Sequence, residues 1–286
     1  MRYANDTAKI AELKNKTLFI FDMDGTIYLD DKPLPGAMEF IEKIKSDASK
    51  KYVYFTNNAS KDPLTYINKL KKIGFPTEIS DIADTSNISA VLTSADVLIK
   101  YLKLYRPNKS VYLLGTSYLE AMFRDSGIDL FYPEEDAAPD IVVSSFDTSL
   151  TYFKLERACT YIRNGAEWLT THPDINCPVE GGYIPDCGAI NELIKSSTDK
   201  PLPKAFGKPY GEVVEMLEEI YKISRNEMVI FGDRLYTDIA LGKTNGMLAV
   251  LLLTGEASLE DALTLADNLQ PDLIFDDFNE IYRQFS

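Results

Sequence analysis

Histidine is nearly absent from this 286-residue chain: His172 stands alone. Cysteine is almost as scarce. The three present, Cys159, Cys177 and Cys187, are odd in number in a long chain, which argues against a disulfide framework. Cys177 and Cys187 also lack metal-ligand spacing, so a zinc centre is not expected. Long apolar runs are missing. The longest, MLAVLLL (247–253), is far too short to cross a bilayer, and the opening MRYANDTAKIAELKNK has no apolar core of the kind a signal peptide needs. A soluble, cytoplasmic protein is expected. Basic residues are outnumbered, 30 Lys and Arg against 44 Asp and Glu, for a net charge of −14. That field argues against nucleic acid or an anionic membrane as a partner. It does not forbid a small anion, because a local site can reverse the global sign. A homodimer is left open.

What is present is ample apolar material, 45% of residues, over a length that suits one large domain or two modest ones. The run TLFIF (17–21) has the composition of a strand buried on both faces. GAMEFIEKIKSDA (36–48) has helical spacing, YVYFT (52–56) is strand-like, and PLTYINKLKKIG (63–74) reads as a helix with proline near its start and glycine at its end. This β-α-β-α opening implies a parallel sheet with right-handed crossovers. The same grammar returns near the other end. Helices are expected at 212–223, 237–246 and 259–269, alternating with strands at 228–232, 248–254 and 272–275, before a short closing helix.

The middle differs. Strands are expected at 110–115, 140–145 and 167–171, separated by helices at 117–126 and 151–164. The stretch THPDINCPVEGGYIPDCG (171–188) is too long and too rich in breakers for a plain turn. The expected architecture is therefore α/β: a Rossmann-like parallel-sheet core, residues 1–93 and 201–286, with a smaller inserted α/β cap domain, residues 94–200. Most Tyr and Phe residues, and Trp168, are expected to serve as packing.

Ligands of open parallel sheets collect at the carboxyl ends of the strands. Three polar clusters fall there: DMDGT after the strand at 17–21, TNN after 52–56, and GDRLYTD after 228–232. Lys208, in FGKPYGE, precedes the helix that leads into the last of these strands. The sheet thus gathers Asp22, Asp24, Asp233 and Asp238 with Thr56, Asn57 and Lys208. Carboxylates held this close repel one another unless a cation binds. A donor set of oxygens alone favours a hard ion, Mg²⁺ first, which keeps waters and a substrate phosphate among its ligands. Thr56, Asn57 and Lys208 supply donors for phosphate oxygens. A carboxylate nucleophile forming an aspartyl-phosphate is an established form of covalent catalysis, and a turn at Gly25 would return Asp24 toward a leaving group as general acid. An EF-hand loop does not fit, since the glycine falls two positions early and Pro33 stands where the closing Glu belongs.

In this order, DMDGT, TNN, GK and GDRLYTD resemble the four motifs of the haloacid dehalogenase-like superfamily. DMDGTIYLDDKPLPGAMEFI with YFTNNAS is similar to its subfamily IIA, which includes p-nitrophenyl phosphatase-like and N-acetylglucosamine-operon phosphatases. The resemblance implies an α/β cap inserted between the second and third motifs. It implies Asp22 as nucleophile and Mg²⁺ ligand, and Asp24 as general acid and then base, with its backbone carbonyl on the metal. Thr56 and the Asn57 amide would hold the phosphoryl group, with Asn58 of the same motif among the substrate-binding residues. Lys208 would neutralise charge between Asp22 and phosphate, Asp233 would bind Mg²⁺, and Asp238 would support it. The second motif-I aspartate favours phosphoryl transfer over dehalogenation.

The expected activity is Mg²⁺-dependent hydrolysis of a small phosphorylated metabolite, a sugar phosphate, nucleotide or similar phosphomonoester. The alternatives are a phosphotransferase or mutase using the same intermediate, which would not release free phosphate to water, and a phosphorylatable signalling receiver, which would lack both the Gly-Asp-x₄-Asp motif and the insertion. The chain has THPD where the family often has TNPD, PDCG in place of a Pro-Gly-x-Gly turn, SSFD in place of a GFD-like segment, and a longer stretch near 80–92. All lie outside the chemical motifs. Substrate preference is expected to reside in segment 171–188, with His172, Asp174 and Cys177 as contacts across a cleft from Asp22.

Overall fold

Four apolar residues in succession, Leu18–Phe21, form strand β1, buried along its whole length. These residues belong to a computed structural model that describes residues 5–77, 90–133, 137–179 and 181–285. A helix the sequence pattern did not reveal, Thr7–Lys14, precedes β1, its first turn capped by the Asp6 carboxylate. After β1 comes a two-rung antiparallel hairpin of β2 (Tyr28–Leu29) and β3 (Lys32–Pro33). Helix Ala37–Ser46 buries Ala37, Phe40, Ile41 and Ile44, the one-face spacing of an amphipathic helix. Strand β4 (Lys51–Thr56), helix Pro63–Lys72 and short strand β5 (Val91–Thr93) follow. Of the unusually long stretch near 80–92, residues 80–89 lie outside the described residues.

From Thr93 to Gly207 the chain builds a second compact unit, which also takes in Asn57–Asp62. Helix Ser94–Tyr105 opens it, held at its start by a reciprocal Thr93–Asp96 capping box. Strands β6 (Val111–Leu114), β7 (Ile141–Ser144) and β8 (Glu167–Thr170) pair in parallel. Helices Ser117–Asp125 and Tyr152–Arg163 connect them, each started by a threonine hydroxyl, Thr116 and Thr151. Trp168 is packing, as expected, with its indole N–H donating to the Ser144 hydroxyl at 2.9 Å. The breaker-rich stretch is not irregular throughout. It folds an antiparallel hairpin, β9 (Asn176–Val179) with β10 (Gly182–Pro185), in spite of Pro178 and Pro185. Helix Cys187–Thr198 then leads to β11 (Lys204–Ala205), which pairs with β8 to complete the sheet order β11-β8-β7-β6.

The chain returns to the first unit at Lys208. Helix Glu212–Tyr221 carries Glu212 and Glu215 in its first turn, favourable to the helix dipole, and β12 (Met228–Gly232) follows. Where one helix was expected at 237–246, a wide π-type turn over Leu235–Ile239 precedes a helix confined to Ala240–Asn245. Strand β13 (Leu248–Leu252), a helix Leu259–Thr264 shorter than its apolar pattern suggests, β14 (Leu273–Phe275) and helix Phe278–Phe285 complete the chain. That shorter helix stops because Leu265 turns extended and the Thr264 hydroxyl bonds back to the Asp261 carbonyl. The sheet runs β14-β13-β12-β1-β4-β5, with β1 parallel to both β12 and β4. Its core is aromatic: Phe21 and Phe231 stack at 4.9 Å with planes 20° apart, and Phe40 meets both edge-on. This is the α/β Rossmann-like architecture expected, and β1 sits in the middle of its sheet.

Candidate active site

Because β1 and β12 are neighbours in parallel register, with Phe21 opposite Phe231, the residues just past their ends are brought side by side. Those residues are Asp22 and Asp233. The Asp22 amide still donates to the Phe231 carbonyl at 2.9 Å, so the first carboxylate is rooted in the ladder itself. The wide turn after β12 supplies Asp238. Gly232 makes room for it, since a Cβ there would lie only 2.2 Å from the Asp238 carboxyl carbon. Asp22, Asp233 and Asp238 are all buried, and one carboxylate oxygen from each falls within 4.8 Å of the others.

Lys208 is buried against this trio. Its ammonium donates to Asp22 Oδ1, lies 2.6 Å from Asp238 Oδ1, and reaches the Phe55 carbonyl at the end of β4 at 3.4 Å. Burial opposes its charge, but Asp22 and Asp238 outweigh that and hold it well above the ordinary lysine range. One ammonium does not balance three carboxylates. Burial, and then the Asp22 charge, push the Asp233 carboxyl up to about 6. Burial also pushes Asp238 up to about 7, although Lys208 pulls the other way. All-oxygen donors, a net negative charge and two carboxyls reluctant to ionise together fit a divalent hard cation.

Two supports here were not read from the sequence. The Thr26 hydroxyl lies 3.1 Å from both Asp22 Oδ2 and Asp233 Oδ1 and orients the two carboxylates. It stands inside DMDGT, so the motif held the signal. The Glu256 amide donates to Asp233 Oδ2 at 2.8 Å, and Gly255 lets that loop approach, because a Cβ there would fall 2.0 Å from the same oxygen. Nothing in the local sequence around Gly255 marks this.

Asp24 lies beside the trio rather than in it. It is half-buried, with Tyr28 and Lys69 for neighbours. Burial raises its carboxyl above the ordinary range, and Lys69 draws it partly back. Gly25, at φ 83°, turns the chain between Asp24 and Thr26, and a Cβ on it would meet Asp233 at 2.6 Å. Thr56 is buried at the end of β4.

The remaining sequence candidates gather within the second unit. The Asn57 side-chain amide donates to Asp174 Oδ1 at 2.9 Å, and the Asn58 side-chain amide lies 3.8 Å from the Cys177 sulfur. His172 is fully buried. Its Nε2 is 2.9 Å from Asp186 Oδ1 and its Nδ1 is 2.9 Å from the Thr171 hydroxyl. Asp186 also caps the helix that begins at Cys187. His172 therefore ties the segment before the β9–β10 hairpin to the residue that follows it. Burial pushes the Cys187 thiol up to about 12, which leaves it a packing group hydrogen-bonded by Thr170.

Residues 19–129 match the family described as haloacid dehalogenase-like hydrolase, and residues 205–281 match a second described as HAD-hydrolase-like. An acid sugar phosphatase of Staphylococcus aureus (strain MRSA252) is 31% identical over 94% of this chain and 97% of its own. The crystal structure of a 4-nitrophenylphosphatase from Thermotoga maritima is similar at 39% identity and a TM-score of 0.84, covering 96% of this chain and 99% of that one. A glycerol phosphate phosphatase from Mycobacterium tuberculosis, solved in complex with magnesium, is 25% identical with a TM-score of 0.82, covering 94% of this chain and 77% of that one.

Proposed function

As this chain belongs to the haloacid dehalogenase-like hydrolase family and is a phosphoric monoester hydrolase of its subfamily IIA type, we propose that it hydrolyses a small phosphorylated metabolite, a sugar phosphate or similar phosphomonoester, with Mg²⁺ and through an aspartyl-phosphate on Asp22. The observation that carries this reading is the buried trio Asp22, Asp233 and Asp238 with Lys208 among them. Asp22, Asp233, Asp238 and the Asp24 carbonyl would hold Mg²⁺. Bound there, the ion would screen the charges of carboxylate and phosphate from each other. The acid sugar and glycerol phosphate phosphatases among the relatives support the substrate class.

In this reading an Asp22 oxygen attacks phosphorus, its direction set by Thr26 on one oxygen and Lys208 on the other. As the bond from phosphorus to the leaving oxygen breaks, Asp24 gives that oxygen its proton and the alcohol departs. Asp24, now a carboxylate, takes a proton from water, whose oxygen attacks phosphorus. The bond to Asp22 breaks, and inorganic phosphate leaves with both aspartates restored. Burial raises the Asp24 carboxyl above the ordinary range, the direction a general acid calls for, although Lys69 opposes it. Thr56 and the Asn57 amide bind phosphoryl oxygens, and Lys208 neutralises charge. The first unit is the catalytic core and the insertion the cap. Substrate preference is assigned to segment 171–188, where Asp174 and Cys177 serve as polar contacts with Asn58, and His172 acts by fixing the segment. Free cysteines at 159, 177 and 187 suit a reducing, cytoplasmic compartment.

The test is turnover of 4-nitrophenyl phosphate and a panel of sugar phosphates. Chelation should stop release of phosphate and Mg²⁺ should restore it, and Asp22→Asn should abolish turnover and covalent phosphate trapping. Full activity after rigorous demetallation, or near-normal hydrolysis by pure Asp22→Asn enzyme, would reject the reading.

A further inference from the structure

Asp24 is gripped from two sides within the first unit. The Tyr28 hydroxyl lies 3.4 Å from Asp24 Oδ2, and the Lys69 ammonium lies 3.9 Å from Asp24 Oδ1. The two supports are not independent. Lys69, on helix Pro63–Lys72, sits 3.8 Å from the centroid of the Tyr28 ring, so its charge rests on the π-face of the residue whose hydroxyl serves the other oxygen.

The Tyr28 side of this contact belongs to the hydrophobic core. Tyr28 is fully buried, and its carbonyl accepts from the Gly25 amide at 2.9 Å, closing the loop that carries Asp24. A lone Lys–Asp pair at this distance, with side chains 28% and 37% exposed, would be worth little and would wander. A buried ring beneath the ammonium removes that freedom. An aspartate otherwise has three staggered χ1 wells, and a general acid is useful only in the one that reaches the leaving oxygen.

We propose that Lys69 and Tyr28 are positioning residues for Asp24, together fixing the direction of the carboxyl that protonates the leaving group. The proposal rests on the general-acid assignment of Asp24. Neither residue touches the phosphoryl group in this scheme. Their effect is therefore confined to substrates whose leaving oxygen needs a proton, as in sugar and other alkyl phosphates, and is small for a leaving group that departs as a stable anion.

The experiment is the dependence of kcat/KM on leaving-group pKa, measured with aryl phosphates from 4-nitrophenyl to phenyl phosphate. It uses wild type, Lys69→Met, Lys69→Arg, Tyr28→Phe and Asp24→Asn, each in Mg²⁺ and each checked for its melting temperature. Lys69→Met should slow phenyl phosphate by about 5-fold and 4-nitrophenyl phosphate by less than about 2-fold, steepening the slope. Tyr28→Phe should steepen it in the same sense, and Lys69→Arg should restore most of the wild-type slope. Equal loss across the series would show that Lys69 only braces its helix, and would overturn the proposal. So would an unchanged Lys69→Met slope beside a steepened Asp24→Asn slope. A wild-type slope in Asp24→Asn would instead remove Asp24 from the acid role, and the proposal with it.

Discussion

Replacing Lys208 by methionine removes a buried ammonium while nearly keeping the side chain's length. The ammonium lies against Asp22 and 2.6 Å from Asp238 Oδ1. At that separation each attraction is about 6 kcal/mol with an effective dielectric near 20, but most is cancelled by the desolvation that the ammonium no longer suffers. The net cost of breaking a buried pair is about 3–5 kcal/mol, because uncompensated carboxylates stay behind. The pH dependence follows from their shifted titration. Burial and mutual repulsion raise Asp233 to about 6 and Asp238 to about 7, above their unfolded values. A raised carboxyl stabilises the fold when protonated, and that contribution is lost as pH rises from about 4 through the folded values. In Lys208→Met all three charges face one another at pH 8, whereas at pH 5 Asp233 and Asp238 take up protons and relieve part of the strain. Thermal melts in chelator should thus show a loss of about 5–8 °C at pH 8 and a much smaller one at pH 5. Millimolar Mg²⁺ should recover much of the loss at pH 8, since a cation replaces the missing charge. Turnover should still fall by about 10²–10³-fold. Equal destabilisation at both pH values, or a loss under about 1 kcal/mol at pH 8, would refute the idea that Lys208 holds the carboxylates together.

Gly255→Ala places a Cβ on Asp233 Oδ2, and should weaken Mg²⁺ affinity by about 10–100-fold by displacing that carboxylate; a Mg²⁺ titration of activity that superimposes on wild type would show the loop yields freely. Substituting His172, Asp174 or Cys177 with Ala should change relative kcat/KM among natural phosphates and spare a small aryl phosphate. Uniform loss on every substrate would mean that segment 171–188 only braces its own unit.

The sequence alone carried the parallel core and the polar clusters at its strand ends. LFIF and MVIFG read as buried strands because each is a short apolar run with no polar face, and a carboxylate directly after such a run has only the sheet's carboxyl end to occupy. Asp22 and Asp233 were legible for that reason, Asp238 and Lys208 from the motifs GDRLYTD and FGKPYGE, and the geometry brings all four together. What the sequence did not disclose comes from residues far apart in the chain or from local turns without a period. The hairpin at 176–185 has two prolines and no alternation to announce it. His172 is buried with Asp186 and Thr171 on its two nitrogens, a pairing with Asp186 that depends on the hairpin bringing its two flanks together. Gly255 meets Asp233, and Lys69 meets Tyr28 and Asp24, only because β13 lies beside β12 and helix Pro63–Lys72 packs over the turn after β1. Periodicity reports which face of an element is apolar. It holds no record of which side chain on another element will arrive within 4 Å, because that distance is set by packing of the whole sheet and its helices.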